Sequence, residues 1–127
     1  MKASTREWVA KAEEDFLAAT ALNRRRKKAL WSIVAFHVQQ TVEKYLKARL
    51  EEAGLGLPRT HDLLHLLNLV TPVEPLWSSY FPAFSLLISY AVETRYPGNP
   101  VTKADARHAM TLCRKFRREA RLALGLR

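Results

Sequence analysis

Apolar residues recur every three to four positions over most of this sequence, and this spacing constrains the fold more than any other feature. It places apolar side chains along one face of an α-helix. Alanine and leucine together supply 36 of the 127 residues, whereas glycine and proline supply only 10. Because alanine and leucine favour helices and few breakers interrupt them, the sequence predicts an all-α fold.

The periodicity and the positions of the breakers predict five helices. The links between the long amphipathic segments are short, which favours antiparallel neighbours and hence an up-and-down bundle of four to five helices. A chain of this length has room for one core, so residues 1–127 are interpreted as a single domain. The predicted helices span residues 5–22, 28–53, 61–70, 81–93 and 102–124, with a short turn at 73–79.

Residues with capping propensity mark the predicted helix ends. Residues 4–7 have the spacing of a capping box at the first helix, and Thr60 is placed to cap the third. Gly54 suits the position just beyond the second helix. Thr102, with Asp105 three residues later, predicts the start of the fifth helix.

The second helix is predicted to be the most enclosed. Residues 29–36 are apolar almost all round, which is typical of a buried helix. A strand is the alternative for so short an apolar run, but the pattern continues at helical spacing and favours a helix. The residues that continue it are Val38, Val42, Tyr45 and Leu46.

The net charge of +9 is concentrated in two places. Residues 24–28 are five consecutive basic residues, and residues 103–127 hold eight basic residues against two acidic ones. Such patches attract phosphate, acidic proteins or anionic lipid, although they also occur as solvated faces of arginine-rich proteins. Aromatic residues are not interleaved with the basic run, so the sequence does not indicate base stacking.

The sequence also disfavours several classes of protein. A single cysteine excludes an intrachain disulfide framework and a Cys-rich metal site, and Cys113 lies on the apolar stripe of the last helix, which predicts a buried thiol. No apolar run is long enough to span a bilayer, so no membrane partner is expected. Residues 1–7 lack the apolar stretch of a signal peptide, so we expect a cytoplasmic protein.

A metal site is disfavoured as well. His61 and His65 have the i, i+4 spacing of a zinc protease motif on a helix face. However, Asp62 stands where that motif has its glutamate, and no third ligand is evident. We therefore expect neither a metal nor another cofactor.

Polar residues on otherwise apolar helices form the best candidate for a binding site. They lie on one face of the second helix, at the start of the third and at the end of the fourth, and these helix ends can meet at one pole of a bundle. The set predicts an anion site built on Arg95 and Lys47 or, alternatively, a hydrogen-bonded network that braces the helix ends. The candidates are Gln40, Glu43, Lys47, Arg59, His61, Arg95 and Tyr96.

Three segments of the chain resemble the HEPN domain, whose name abbreviates higher eukaryotes and prokaryotes nucleotide-binding. The first is Phe36 to Ala48, the second is Thr60 to Leu63, and the third is Arg95 to Pro97 before a last amphipathic helix. The resemblance covers about residues 6–124.

This resemblance implies a four- or five-helix bundle that usually dimerises. It also implies a minimal nucleotidyltransferase partner, encoded beside the chain as in a toxin–antitoxin pair. The family is similar to the helical domain of kanamycin nucleotidyltransferase, which helps to hold nucleotide. We therefore expect a module that binds nucleotide and/or pairs with such a partner, without catalysis of its own.

The enzyme alternative is a metal-independent ribonuclease. Many family members use an arginine and a histidine separated by four to six residues near the last helix, but here Arg95 is followed by no histidine until His108. Arg59 and His65 have that spacing but open the third helix instead. In a ribonuclease, Arg95 would stabilise the transition state while His108 or His61 acted as general acid or base on bound RNA. A dimeric scaffold is the third interpretation.

A homodimer is also predicted from residues 76–92, which are more apolar than one core face requires. The residues concerned are Leu76, Trp77, Tyr80, Phe81, Phe84, Leu87 and Ile88.

Overall fold

The computed structural model describes residues 1–93 and 97–127, which form five α-helices, one 3-10 helix and no strand, so the all-α prediction is confirmed. No helix in this part of the chain is long and apolar enough to cross a membrane. Arg95 and Tyr96 lie outside the described residues. The elements are α1 (Ala3–Asn23), α2 (Trp31–Ala53), α3 (Leu63–Val70), the 3-10 helix Pro75–Tyr80, α4 (Phe81–Glu93) and α5 (Lys103–Ala123).

The first two helices run antiparallel, as their end contacts demonstrate. The backbone N–H of Lys2 donates to the Glu52 carboxylate at 2.9 Å, so α1 begins beside the end of α2. The ammonium of Lys2 also donates to the carbonyl oxygen of Glu51 at 2.9 Å. These bonds join the start of α1 to the end of α2, and residues 24–30 connect the two helices at the opposite end of the pair.

Helix α2 lies at the centre of the bundle and contacts each of the other four α-helices. The prediction that α2 is the most enclosed helix is confirmed, since eleven of its residues are buried, more than in any other helix of the described chain. Its apolar first segment is less enclosed than expected, because Leu30, Ile33 and Phe36 leave 38 %, 41 % and 52 % of their surface exposed. The helix also begins at Trp31 rather than 28, since Lys28 has a left-handed backbone with φ 51°. A left-handed residue cannot continue an α-helix.

Two of the predicted caps are confirmed. Gly54 ends α2 in the left-handed conformation with φ 68°, where a side chain would be strained. Thr102 and Asp105 form a capping box at α5, each side chain bonding the other residue's backbone N–H at 3.1 and 3.0 Å.

The other two predicted caps are wrong. Ser4 lies inside α1, and its hydroxyl donates to Glu51 at 2.7 Å instead of capping the helix. Asp62 caps α3 by accepting from the backbone N–H groups of the first turn. Thr60 supports that cap, because its hydroxyl oxygen accepts from the Asp62 N–H at 3.1 Å.

Aromatic packing accounts for much of the apolar surplus in residues 76–92. Trp77, Tyr80 and Phe84 are buried, and each has its ring centroid 5.0 to 5.1 Å from that of Phe116 on α5. The Tyr80 hydroxyl donates to Glu119 at 2.6 Å. The 3-10 helix and the first turn of α4 therefore pack against the second half of α5. Outside this cluster, Leu76 and Phe81 remain exposed.

One carboxylate joins α1, α2 and α5. Glu13 accepts two hydrogen bonds from Arg117, at 2.7 and 2.5 Å, and one from the buried Tyr45 hydroxyl at 2.5 Å. Arg121 donates to the same hydroxyl at 3.2 Å, and the Arg117 guanidinium lies 4.3 Å above the Phe16 ring. Three helices are therefore linked through charge-assisted bonds around one side chain.

The electrostatics of this network follow from partial burial. Burial raises the pKa of Glu13, but the bonds from Arg117 and Tyr45 and the charges of Arg117 and Arg121 outweigh it and lower the pKa below 4.5. For Tyr45, burial and the Glu13 carboxylate raise the pKa to about 12. Burial likewise raises the pKa of the Cys113 thiol to about 12, which agrees with the predicted buried thiol.

Glu13→Gln should lower the free energy of unfolding by about 2 kcal/mol at pH 7, because the arginine partners lose their counter-charge. A lowered folded-state pKa stabilises the protein above pH 4.5, and this contribution is lost as the pH falls through the folded pKa. The difference in free energy of unfolding between wild type and Glu13→Gln, measured by urea titration, should therefore disappear below about pH 4.5. Glu14→Gln, an exposed neighbour, is the matched control, and a difference that stays constant down to pH 3 would contradict the assignment.

Candidate functional site

Three of the predicted ligand residues come together at one place. Glu43 and Lys47 lie one turn apart on α2, with the Lys47 ammonium 3.2 Å from the Glu43 carboxylate. Nδ1 of His61, in the segment before α3, lies 3.0 and 3.1 Å from the two oxygens of the same carboxylate. We call Glu43, Lys47 and His61 the polar cluster.

The ion pair in the polar cluster is buried. The side chains of Glu43 and Lys47 are only 4 % and 8 % exposed. The Lys47 ammonium also lies 5.3 Å from the centre of the Trp8 ring, a cation–π contact with α1. Buried charges require such partners, so Lys47 acts as the counter-ion of Glu43.

His61 has the opposite environment, with 84 % of its side chain exposed. An ionised carboxylate can only accept, so Nδ1–H of His61 donates to Glu43. In the neutral ring, Nε2 is then a hydrogen-bond acceptor held in a fixed orientation. The polar cluster therefore presents one oriented imidazole to solvent, which can accept a hydrogen bond.

The remaining predicted site residues are not part of the polar cluster. Gln40 lines a separate cavity of about 310 Å³ between α2 and α4, together with Phe36 and Tyr90. Arg59 is exposed, and it forms no ion pair within residues 1–93 and 97–127. The predictions for Arg95 and Tyr96 fall outside the described residues.

The two histidines considered for catalysis lie apart. His108 is exposed near the start of α5, next to Arg107, which lies in a cleft with Trp31. His61 contacts Glu43, which is twelve residues further along α2 than Trp31 and thus about 18 Å away along the helix. One chain therefore does not bring them into an acid–base pair.

The prediction that His61 and His65 share a helix face is wrong. Helix α3 begins at Leu63, so His61 precedes the helix and turns toward Glu43. Within the described part of the chain, no group of three or more His, Cys, Asp or Glu side chains could hold a metal ion.

A second polar group went unpredicted. Asp15 on α1 is buried, accepts from Nδ1–H of His37 at 2.8 Å and is paired with Lys44. The available signal was an acidic residue at helical spacing from Ala12 and Ala19 on an apolar stripe. A carboxylate at such a position needs cationic partners on the facing helix.

A comparison with known protein families identifies the family of this chain. The family model for the HEPN domain matches residues 5–122, nearly the whole chain. The chain belongs to the HEPN family. No curated protein and no solved structure matches it significantly. The HEPN match extends across both the polar cluster and the α1–α2–α5 network.

Glu43→Gln should destabilise this HEPN domain by about 3 kcal/mol, because it leaves the Lys47 ammonium buried without its counter-ion. Adding Lys47→Met in the same chain should recover most of that loss, since no unpaired charge then remains. Chemical denaturation of the single and double variants measures both effects. A double variant as unstable as Glu43→Gln alone would show that the ion pair is not what Glu43 contributes.

Proposed function

We propose that this HEPN domain binds a nucleotide and/or pairs with a minimal nucleotidyltransferase, without catalysis of its own. The observation that carries the proposal is the Glu43–His61 pair, which orients an exposed imidazole where the chain enters α3. Arg59, two residues earlier, is exposed and has no counter-ion in the described part of the chain. A free guanidinium suits a phosphate, and an oriented imidazole suits a base or ribose donor.

The other site residues take different parts in this proposal. Lys47 is a positioning residue, because its ammonium is enclosed and neutralises Glu43. Arg95 and Tyr96 follow α4 in the sequence, and we assign Arg95 to a bidentate phosphate contact and Tyr96 to a hydrogen bond with the ligand. Gln40 lines the neighbouring α2–α4 cavity, which offers room for a ring.

The proposed partner is a nucleotidyltransferase encoded beside this chain, the two acting as toxin and antitoxin. A net charge of +9 supports rapid association with an acidic partner. We further propose a homodimer, for which the exposed apolar side chains of Ile33, Phe36 and Phe81 supply surface to cover.

The absence of catalysis is proposed from the sequence and the geometry together. Arg107 and His108 are adjacent near the last helix start, without the four to six intervening residues that the ribonuclease members use. His61 and His108 lie beside distant points of α2, and this distance between the two histidines supports the same conclusion.

Arg95→Ala should weaken nucleotide or partner binding by about 1–3 kcal/mol, the scale of a charge-assisted hydrogen bond. Arg59→Ala should weaken nucleotide binding in the same range. Calorimetric titrations with ATP and with the neighbouring nucleotidyltransferase measure both effects, alongside circular dichroism. Arg114→Ala, an exposed arginine on α5, is the matched control. Unchanged affinities, or loss of helix in Arg95→Ala, would leave Arg95 as a structural brace.

A ribonuclease is the second candidate, and the Glu43–His61 pair is the observation that favours it. A carboxylate that orients an imidazole is the arrangement of many general bases. Incubating the protein with total RNA and no added metal distinguishes the candidates. The main proposal expects intact RNA, whereas cleavage lost in His61→Ala but kept in His108→Ala would establish the enzyme.

A further inference from the structure

The fold brings part of the basic run beside two cations at the start of α5, in one cleft of about 640 Å³ that we call the basic cleft. Its walls come from the end of α1, the loop that follows it, the first residue of α2 and the first two turns of α5. Five of the seven lining side chains are cationic and none is acidic. The lining residues are Asn23, Arg24, Arg25, Arg26, Trp31, Lys103 and Arg107.

The cations of the basic cleft are not neutralised. Arg25 donates from Nε to the carbonyl oxygen of Lys27 at 3.0 Å, which ties that side chain to its own loop. Lys103 and Arg107 are one turn apart on α5 and so lie on the same face. None of the lining cations forms an ion pair within the described part of the chain, so their charge is available to phosphate groups.

One further side chain suits a base rather than a phosphate. Trp31 is partly exposed at the cleft wall, so the tertiary fold supplies the aromatic ring that the basic run itself lacks. An indole ring at such a wall offers a flat face on which an unpaired base can stack.

We propose that the basic cleft binds a single-stranded polynucleotide, with phosphates on Arg24, Arg26, Lys103 and Arg107 and a base stacked on Trp31. Unstacked bases occur in single strands, whereas a duplex hides their faces. The volume exceeds what one phosphate needs and lies in the range of ligand sites. A polynucleotide always carries bases that can stack on Trp31, whereas an acidic peptide does not always contain an aromatic ring. A flat lipid surface does not enter a concave cleft.

This site is independent of the function proposed above. Trp31 lies about 18 Å along α2 from Glu43 in the polar cluster. A ligand at the basic cleft therefore does not depend on His61 or on Arg59, and each site is tested without the other.

The test measures fluorescence anisotropy of a short fluorescein-labelled oligoadenylate at several salt concentrations. The double variants Arg24→Ala/Arg26→Ala and Lys103→Ala/Arg107→Ala should each lose about 10- to 100-fold in affinity. Each should also reduce the slope of log K against log salt by about 1.4, since each single-strand phosphate contact contributes about 0.7. Arg114→Ala/Arg118→Ala removes two exposed charges from the same protein outside the cleft and should change affinity less than about 3-fold.

Stacking is tested separately. Trp31→Ala should lose about 5- to 100-fold, and Trp31→Phe should retain most of the affinity, because a phenyl ring still stacks. Circular dichroism checks the fold of both variants. If Trp31→Ala unfolds, the two cleft double variants alone test whether the cleft binds the oligonucleotide. His65→Ala removes an exposed histidine that lies outside both sites, and it should leave oligoadenylate binding unchanged.

Three results would overturn the proposal. The first is an equal loss in the cleft and control double variants, which would indicate nonspecific attraction to a basic surface. The second is competition by duplex DNA or inorganic triphosphate as effective as that by unlabelled oligoadenylate. The third is no binding of oligoadenylate while phosphatidylserine vesicles or an acidic peptide bind through the same arginines.

Discussion

The Glu13 carboxylate is the interaction on which the rest of this bundle depends. In a chain rich in arginine, it allows Arg117 and Arg121 to approach the core and lets the Tyr45 hydroxyl be buried with its hydrogen bonds satisfied. Because these bonds join α1, α2 and α5, they fix how the outer helices lie along α2. That placement brings the end of α1 beside the start of α5 at one end of α2 and leaves Glu43 facing the α3 segment further along it.

Local signals in the sequence predicted the features that depend on local chemistry. Apolar periodicity predicted the helices, and Gly54 and Thr102 act at helix ends through their own backbone or near neighbours. Ser4 was assigned wrongly because Glu51, distant in sequence, offers its hydroxyl a stronger charged partner. Exposure of Ile33 and Phe36 was missed for a related reason, since no neighbouring helix covers that face of α2 within the described residues.

The candidate site likewise combines contacts that follow from local geometry with contacts that depend on tertiary packing. The Glu43–Lys47 pair follows from helical geometry, because residues four apart share a face. His61 reaches Glu43 only because the chain after α2 turns back over that helix. The sequence indicated this contact indirectly, through the expectation that the helix ends meet. The basic cleft depends on three helices at once, so the count of charges found its cations without bringing them together. The Asp15 group depends on two facing helices, and it went unpredicted.

The distribution of charge over the fold separates two kinds of binding surface. Buried acidic groups are matched inside the bundle by Lys47 and Lys44, so the Glu43–Lys47 pair has no net charge and the polar cluster offers hydrogen bonds rather than surplus charge. The surplus of +9 therefore remains on the outside, and five of the basic residues place part of it around the basic cleft. Unpaired charge acts over about a Debye length, whereas an oriented imidazole acts only on contact. The proposed capture of a polyanion therefore relies on the unpaired charge of the basic cleft, and the proposed recognition of a nucleotide or partner relies on the hydrogen bonds of the polar cluster.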